Sequence, residues 1–294
     1  MRSVSLASVL AVLAAPAAAP SHAADAPVQQ PHRAVYSMAL ANASGVGGPA
    51  QVRGAMVYEV LDGCDAWRVD TKVMMLTAYG EEEVESVRLM SSWEAKDGLS
   101  FRFKVDEKTG GKPGESLRGV AVLDGPGLPG VAEFTRPQPQ KVELPKGTAF
   151  PTTHMIEMIQ RAQAGERHFG KVVFDGSTLE DPYVVSAVIG PAPASKLAPE
   201  VAAALRKADG GEHPRWEGRL AYFSVQKKTE TPDFELTVVF RDDGVIEAIR
   251  QDYEDHSVDS RLRQVELLPL AVCPATDDPP SLPDADEPPA EPTP

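Results

Sequence analysis

The stretch Leu99-Ser100-Phe101-Arg102-Phe103-Lys104-Val105-Asp106 changes from apolar to polar at every step. Side chains of a strand point alternately to its two faces, so this period puts Leu99, Phe101, Phe103 and Val105 on one side of a sheet. Working outward, the same pattern recurs at Val52, Gly54, Met56, Tyr58 and Val60 and at Trp67, Val69, Thr71, Val73 and Met75. It returns from Val87 to Trp93, from Trp216 to Tyr222 and from Phe234 to Phe240. One apolar face per strand predicts antiparallel pairing around a single core, not a sheet buried on both faces. Asp243-Gly244 between two such runs predicts a hairpin.

Helix signals are few. Thr152 and Thr153 are placed to cap a run from His154 to Ala164, with Met155, Ile156, Met158 and Ile159 on one side and Gly165 as its stop. A second short helix is expected from Pro199 to Ala208, before Gly210-Gly211. Pro126 to Pro129 and Pro191 to Pro193 read as loop turns within one mostly β domain.

The chain opens with Met1-Arg2, an apolar run from Val4 to Ala19 and then Ser21-His22-Ala23. That is the layout of a secretory signal peptide, and the run is too short for a comfortable membrane span. Residues 1–23 are therefore expected to be a signal peptide, 24–31 a flexible start and 32–276 the folded domain. The segment 277–294 concentrates proline and acids with one large apolar side chain, Leu282, and is expected to be a disordered acidic tail. Asn42 is the only asparagine, a bias that fits a GC-rich bacterial genome and hence a periplasmic destination. No later stretch is long and apolar enough for stable membrane insertion, and a monomer is expected.

A hydrophobic content of 42% with 24% charged residues supports a real core. The formal charge of −14 repels polyphosphate, so nucleic acid and anionic surfaces are disfavoured as partners. The chain has no Gly-x-Ser-x-Gly elbow, no phosphate-binding Gly-x-x-x-x-Gly-Lys-Ser/Thr and no His-Glu-x-x-His. Gly110-Gly111-Lys112-Pro113-Gly114 reads as a long hairpin tip. The histidines are too scattered for a metal set, and no cofactor is expected. Asp252-Tyr253-Glu254-Asp255-His256 reads as the solvated edge of a strand.

Cys64 and Cys273 are the only cysteines. An even count in an exported protein reads as a bridge, with two buried free thiols or an intermolecular bridge as the alternatives. Their separation fits neither a redox Cys-x-x-Cys nor a zinc site.

Several phrases, in order, resemble the EipB family of bacterial periplasmic cell-envelope integrity proteins. They begin with His32-Arg33-Ala34-Val35-Tyr36 and Gly54-Ala55-Met56-Val57-Tyr58-Glu59, followed by Cys64-Asp65-Ala66-Trp67, Ser92-Trp93-Glu94 and Phe101-Arg102-Phe103. The most specific is Leu144-Pro145-Lys146-Gly147-Thr148-Ala149-Phe150-Pro151-Thr152-Thr153-His154; Phe174-Asp175-Gly176-Ser177 and Cys273-Pro274 come after it. The resemblance implies a long twisted antiparallel sheet rolled into a spiral or open barrel, with one disulfide, Cys64 to Cys273, fastening its ends. It implies support of the envelope and stress resistance, with no established reaction. The acidic tail has no counterpart in this pattern.

Such a sheet is similar in shape to periplasmic lipoprotein carriers, which is an analogy between folds. The leading expectation is a non-enzymatic protein that binds an envelope protein or an apolar, acyl-type ligand, with a lipid or lipoprotein carrier as its sharper form. Trp93, Phe101, Phe103 and Trp216 are the candidates for a concave apolar binding face; the alternative is that they simply fill the core. From a different class, an envelope enzyme would need His154 to meet a carboxylate such as Glu157 or Asp175, with the helix N-terminus lowering the imidazole pKa.

Overall fold

The computed structural model describes residues 29–43, 47–179, 182–209, 211–227 and 230–273. The expected signal peptide, most of the 24–31 segment and the acidic tail lie outside the described residues. The alternating runs become fifteen strands of one sheet. β1 (His32–Ala43), β2 (Gln51–Asp62), β3 (Ala66–Tyr79), β4 (Glu82–Ala95), β5 (Ser100–Thr109), β6 (Lys112–Leu123), β7 (Gly130–Arg136) and β8 (Gln140–Leu144) form one up-and-down meander. β10 (His168–Val173), β11 (Tyr183–Pro191), β12 (Arg215–Ser224), β13 (Phe234–Arg241), β14 (Ile246–Asp252) and β15 (His256–Leu267) form a second, and the two-residue β9 (Thr148–Ala149) adds to β10 in parallel.

β15 pairs antiparallel with β1, from His32 opposite Leu267 to Ala43 opposite His256, and so welds the two meanders into one sheet. The outermost strands are then β8 and β9. Only Pro145, Lys146 and Gly147 separate them in sequence. A sheet whose two edges are that close along the chain must curl until they meet, which produces a nearly closed barrel with one seam. Because the first and last strands lie at the middle of the sheet, the disulfide cannot be fastening sheet edges, as the resemblance implied.

Residues directly opposite each other share a face, so the register traces the barrel interior. Phe101 faces Glu94 on one side and Ala121 on the other; Ala121 faces Ala132, which faces Val142. In the other direction Glu94 faces Trp67, and Val60 faces His32. All of these are buried.

Two helices close the interior. α1 (Pro151–Gln163) buries Met158, Ile159 and Ala162 against β10 to β13. α2 (Pro199–Asp209) brings Val201 and Leu205 onto Ala34, Tyr36 and Leu262. The threonines expected to cap α1 do not: Phe150 occupies the N-cap without a side-chain bond and Pro151 opens the helix. Gly165, at φ +76°, follows the last turn as the expected stop. Gly110 and Gly111, with φ of +56° and +72°, form the β5–β6 tip, the positive-φ pair that a tight hairpin requires. The 252–256 acids are not an edge strand, since Tyr253-Glu254-Asp255 turn the chain between β14 and β15. Of the segment expected to be flexible, Gln29 is buried and Gln30 Nε2 donates to Leu268 O at 2.8 Å, extending the β1–β15 junction.

Cys64 and Cys273 are bonded, with Cα atoms 5.6 Å apart. Cys64 sits in the β2–β3 turn, so the bridge ties the chain after β15 across β1 to β2. Cys64→Ser and Cys273→Ser should each lower unfolding free energy by about 2–5 kcal/mol, and by the same amount as each other. Denaturant melts under oxidising conditions measure this; wild-type midpoints for both variants would contradict it.

Candidate functional site

The interior face is filled in one part of the barrel and not in another. Beside β5 to β8, Phe101 and Phe103 pack with Phe134, Phe150 and Phe174, the Phe101–Phe150 rings stacked at 5.1 Å. Phe103 is wedged between Gly119 and Gly176, where an added Cβ would stand 2.5 Å and 2.3 Å from its ring. These two candidates are core residues.

Along β1 to β4 the same face carries Met38, Met56, Val73, Met75 and Met90, all only half-buried, together with Thr71, Ser86 and Arg88, the last ion-paired to Glu107 at 3.0 Å. The register places them together: Met56 lies opposite Tyr36 and Val73, and Gly54 links Met38 to Met75. On the second meander Tyr222, Phe234 and Leu236 share the face and are half-buried too, with Tyr222 and Phe234 stacked at 4.4 Å. Met38, Val73 and Met75 belong to none of the three core clusters. Tyr58 and Tyr222 keep accessible surface, yet burial raises both phenol pKa values. These half-buried side chains mark the least filled part of the barrel interior, the candidate trough.

The other two candidates separate. Trp216 faces inward, half-buried against Phe240 at 5.9 Å between ring centres. Trp93 lies opposite Arg102 and so faces outward, away from Phe101, with the Arg68 guanidinium 5.6 Å over its ring. The residues that line the trough are thus mainly ones not singled out, although Met56, Tyr58, Val73 and Tyr222 lie within the alternating runs quoted above. Their signal was the placing of Met56, Met75 and Met90 on the apolar side of neighbouring alternating runs, methionine being a soft side chain that suits irregular apolar surfaces.

Two phrases of the resemblance meet in space. Glu94, 2% exposed, accepts hydrogen bonds from the Thr152 and Thr153 N–H groups, both at 2.7 Å, and from Thr153 Oγ1 at 2.6 Å. A carboxylate from β4 therefore serves the orphan donors at the start of α1. Burial still holds its pKa above the ordinary value.

His154 is 7% exposed, packs on the Phe169 ring at 5.6 Å and leaves Nε2 buried without a partner. Glu157 is bonded to Lys171 at 2.7 Å, and Asp175 accepts the Ser177 N–H at 2.8 Å. No hydrogen bond joins either carboxylate to His154, so the acid/base pair an enzyme would need is not assembled. The imidazole pKa is lowered to about 4, by desolvation and then by Lys171; the helix terminus is not the cause. Among the described residues one cluster has metal-ligand spacing, His213 with Asp242 and Asp243. Arg241 already holds Asp243 through Nε at 3.1 Å and Nη2 at 2.7 Å, which makes it an ion-pair network at the β13–β14 turn.

A histidine at about 4 when folded and 6.5 when unfolded binds its proton more readily in the unfolded chain. Its contribution is present above pH 6.5 and is lost as pH falls toward 4, up to about 3 kcal/mol. His154→Leu should flatten this acid limb in denaturant melts between pH 7 and 4.5; an unchanged pH dependence would contradict the assignment. Phe103→Ala should cost about 3–5 kcal/mol, whereas Met75→Ala should cost about 1 kcal/mol or less. Equal costs in thermal or denaturant unfolding would show that the trough is packed core.

Comparison with known proteins places this architecture. The EipB-like family matches residues 23–269. Cell envelope integrity protein EipB of Brucella abortus (strain 2308) is 25% identical over 240 residues, covering 81% of this chain and 84% of that protein. A solved structure, a beta-barrel-like protein of domain of unknown function DUF1849 from Brucella abortus, superposes with a TM-score of 0.74 at 24% identity, over 83% of this chain and 100% of that one. The shared barrel and a family match spanning nearly every described strand lead to one conclusion: the chain belongs to the EipB-like family.

Proposed function

We propose that this protein supports integrity of the cell envelope, in the periplasm, by holding an apolar, acyl-type ligand in the half-filled trough of its barrel. The envelope role rests on family membership and on the relative named for it; the ligand class rests on the trough. The observation that carries it is the half-buried interior stripe of Met38, Met56, Val73 and Met75, which the register brings together. Pockets for small molecules are concave and mostly apolar with few polar groups, and a flexible acyl chain fits a long methionine-lined wall better than a rigid polar substrate does. No helix among the described residues is long and apolar enough to cross a membrane. The leader layout remains the argument for export.

The protein isolated under native conditions from its own periplasm should carry a fatty-acyl species detectable by mass spectrometry at near-stoichiometric level. Met75→Glu, which places a charge on the apolar wall, should weaken displacement of a fluorescent fatty-acid probe by about tenfold or more. Absence of any bound lipid together with no probe binding would contradict the reading.

A further inference from the structure

The barrel's outer face carries a groove separate from the trough. Over β12 to β15 an open groove of about 410 Å³ is walled on one side by the segment from Pro193 to Leu197. Its floor is the small apolar pair Val239 and Ala248, which lie directly opposite each other. Around that floor stand Lys196, Arg215, Arg250, Arg261 and Arg263, against the acids Glu217, Glu247 and Asp259.

The partners decide how much of this charge is left over. Arg215 is bound in bidentate fashion to Glu247, at 2.7 and 2.6 Å, and Glu217 is held by Arg219 at 3.2 Å. Asp259 serves both Arg250, at 3.0 Å, and Arg261, at 3.2 Å, while Arg250 reaches Asp252 only at 4.0 Å. Arg263 donates to a neutral hydroxyl, Ser37 Oγ, at 2.7 Å. Among the described residues neither Arg263 nor Lys196 has a carboxylate partner. The groove thus concentrates uncompensated positive charge on a chain whose formal charge is −14.

We propose that this groove binds a phosphate-bearing group. Guanidinium forks match the tetrahedral oxygens of phosphate, and Lys196 supplies a mobile point charge from the wall. The acidic surplus of the whole chain does not forbid it. Charges beyond about 8 Å are largely screened at physiological ionic strength, so the cations lining the groove outweigh distant carboxylates. The phosphate has two possible sources, the headgroup of an anionic lipid or a soluble phosphate compound, and both present the same chemistry.

The test uses the full chain with two probes, vesicles of phosphatidylglycerol mixed into phosphatidylcholine, and inorganic pyrophosphate. Binding to at least one is expected, with none to vesicles of phosphatidylcholine alone. The double variant Lys196→Ser with Arg263→Ser should weaken whichever arm is positive by about tenfold, the scale of a lost charge-assisted contact. Lys72→Ser with Lys104→Ser removes the same charge from a groove on the opposite wall and should leave binding unchanged. Vesicle binding alone identifies a lipid headgroup, and pyrophosphate binding alone a soluble source. Binding of neither probe, or equal losses in the two double variants, would overturn the proposal. The fatty-acid probe reports on the trough separately, so the two readings can fail independently.

Discussion

The whole barrel depends on the antiparallel pairing of β1 with β15. Without it the chain is two separate meanders, each with exposed edges and half a core. With it the edges become β8 and β9, which the short Pro145-Lys146-Gly147 link forces together. The pairing joins residues more than two hundred positions apart, so its loop-closure entropy is opposed only by contacts that form once both meanders exist. The structure reinforces this one junction several times. Gln30 bonds to Leu268, Tyr36 Oη donates to Ile246 O at 2.9 Å, and α2 packs over Ala34 and Leu262. The disulfide adds the covalent tie beside it, linking Cys273 beyond β15 to the β2–β3 turn.

Local patterns were legible in the amino-acid sequence where the physics is local. Period-two alternation located the strands, Asp243-Gly244 and Gly110-Gly111 located hairpins, and the run from His154 to its stop at Gly165 located a helix. Features that depend on distant partners were not. Thr152 and Thr153 read as caps because their own side chains are good caps, but the acceptor is Glu94, which arrives from β4 and replaces them. Trp93 read as a concave-face aromatic because it ends an alternating run. Its facing is set by register against Arg102, and a one-residue difference in parity sends a side chain to the opposite surface. His154 read as a base near a helix terminus, whereas burial against Phe169 governs its titration.

The same limit applies to the site. Phe101 and Phe103 look like ligand-facing aromatics by size and periodicity, and the glycines that pin Phe103, Gly119 and Gly176, lie far from it in sequence. The trough emerges by subtraction. Phe150 and the segment from Phe174 to Leu179 fill the space beside β5 to β8, α1 covers β10 to β13, and α2 covers the β1–β15 junction. Val73 and Met75 are left half-buried on the interior face, outside the three core clusters. A closed sheet with an incompletely filled interior is what separates a binding barrel from a structural one.

That incompletely filled apolar space is the central claim, and methionine-methyl NMR tests it most directly. In a protein labelled at methionine methyl groups, added palmitate should shift or broaden the Met38, Met56, Met75 and Met90 resonances at saturating, stoichiometric amounts. Met158, which α1 buries against β10 to β13, should not move. Palmitate that leaves the four trough methyls unperturbed, or that shifts Met158 equally, would contradict the account.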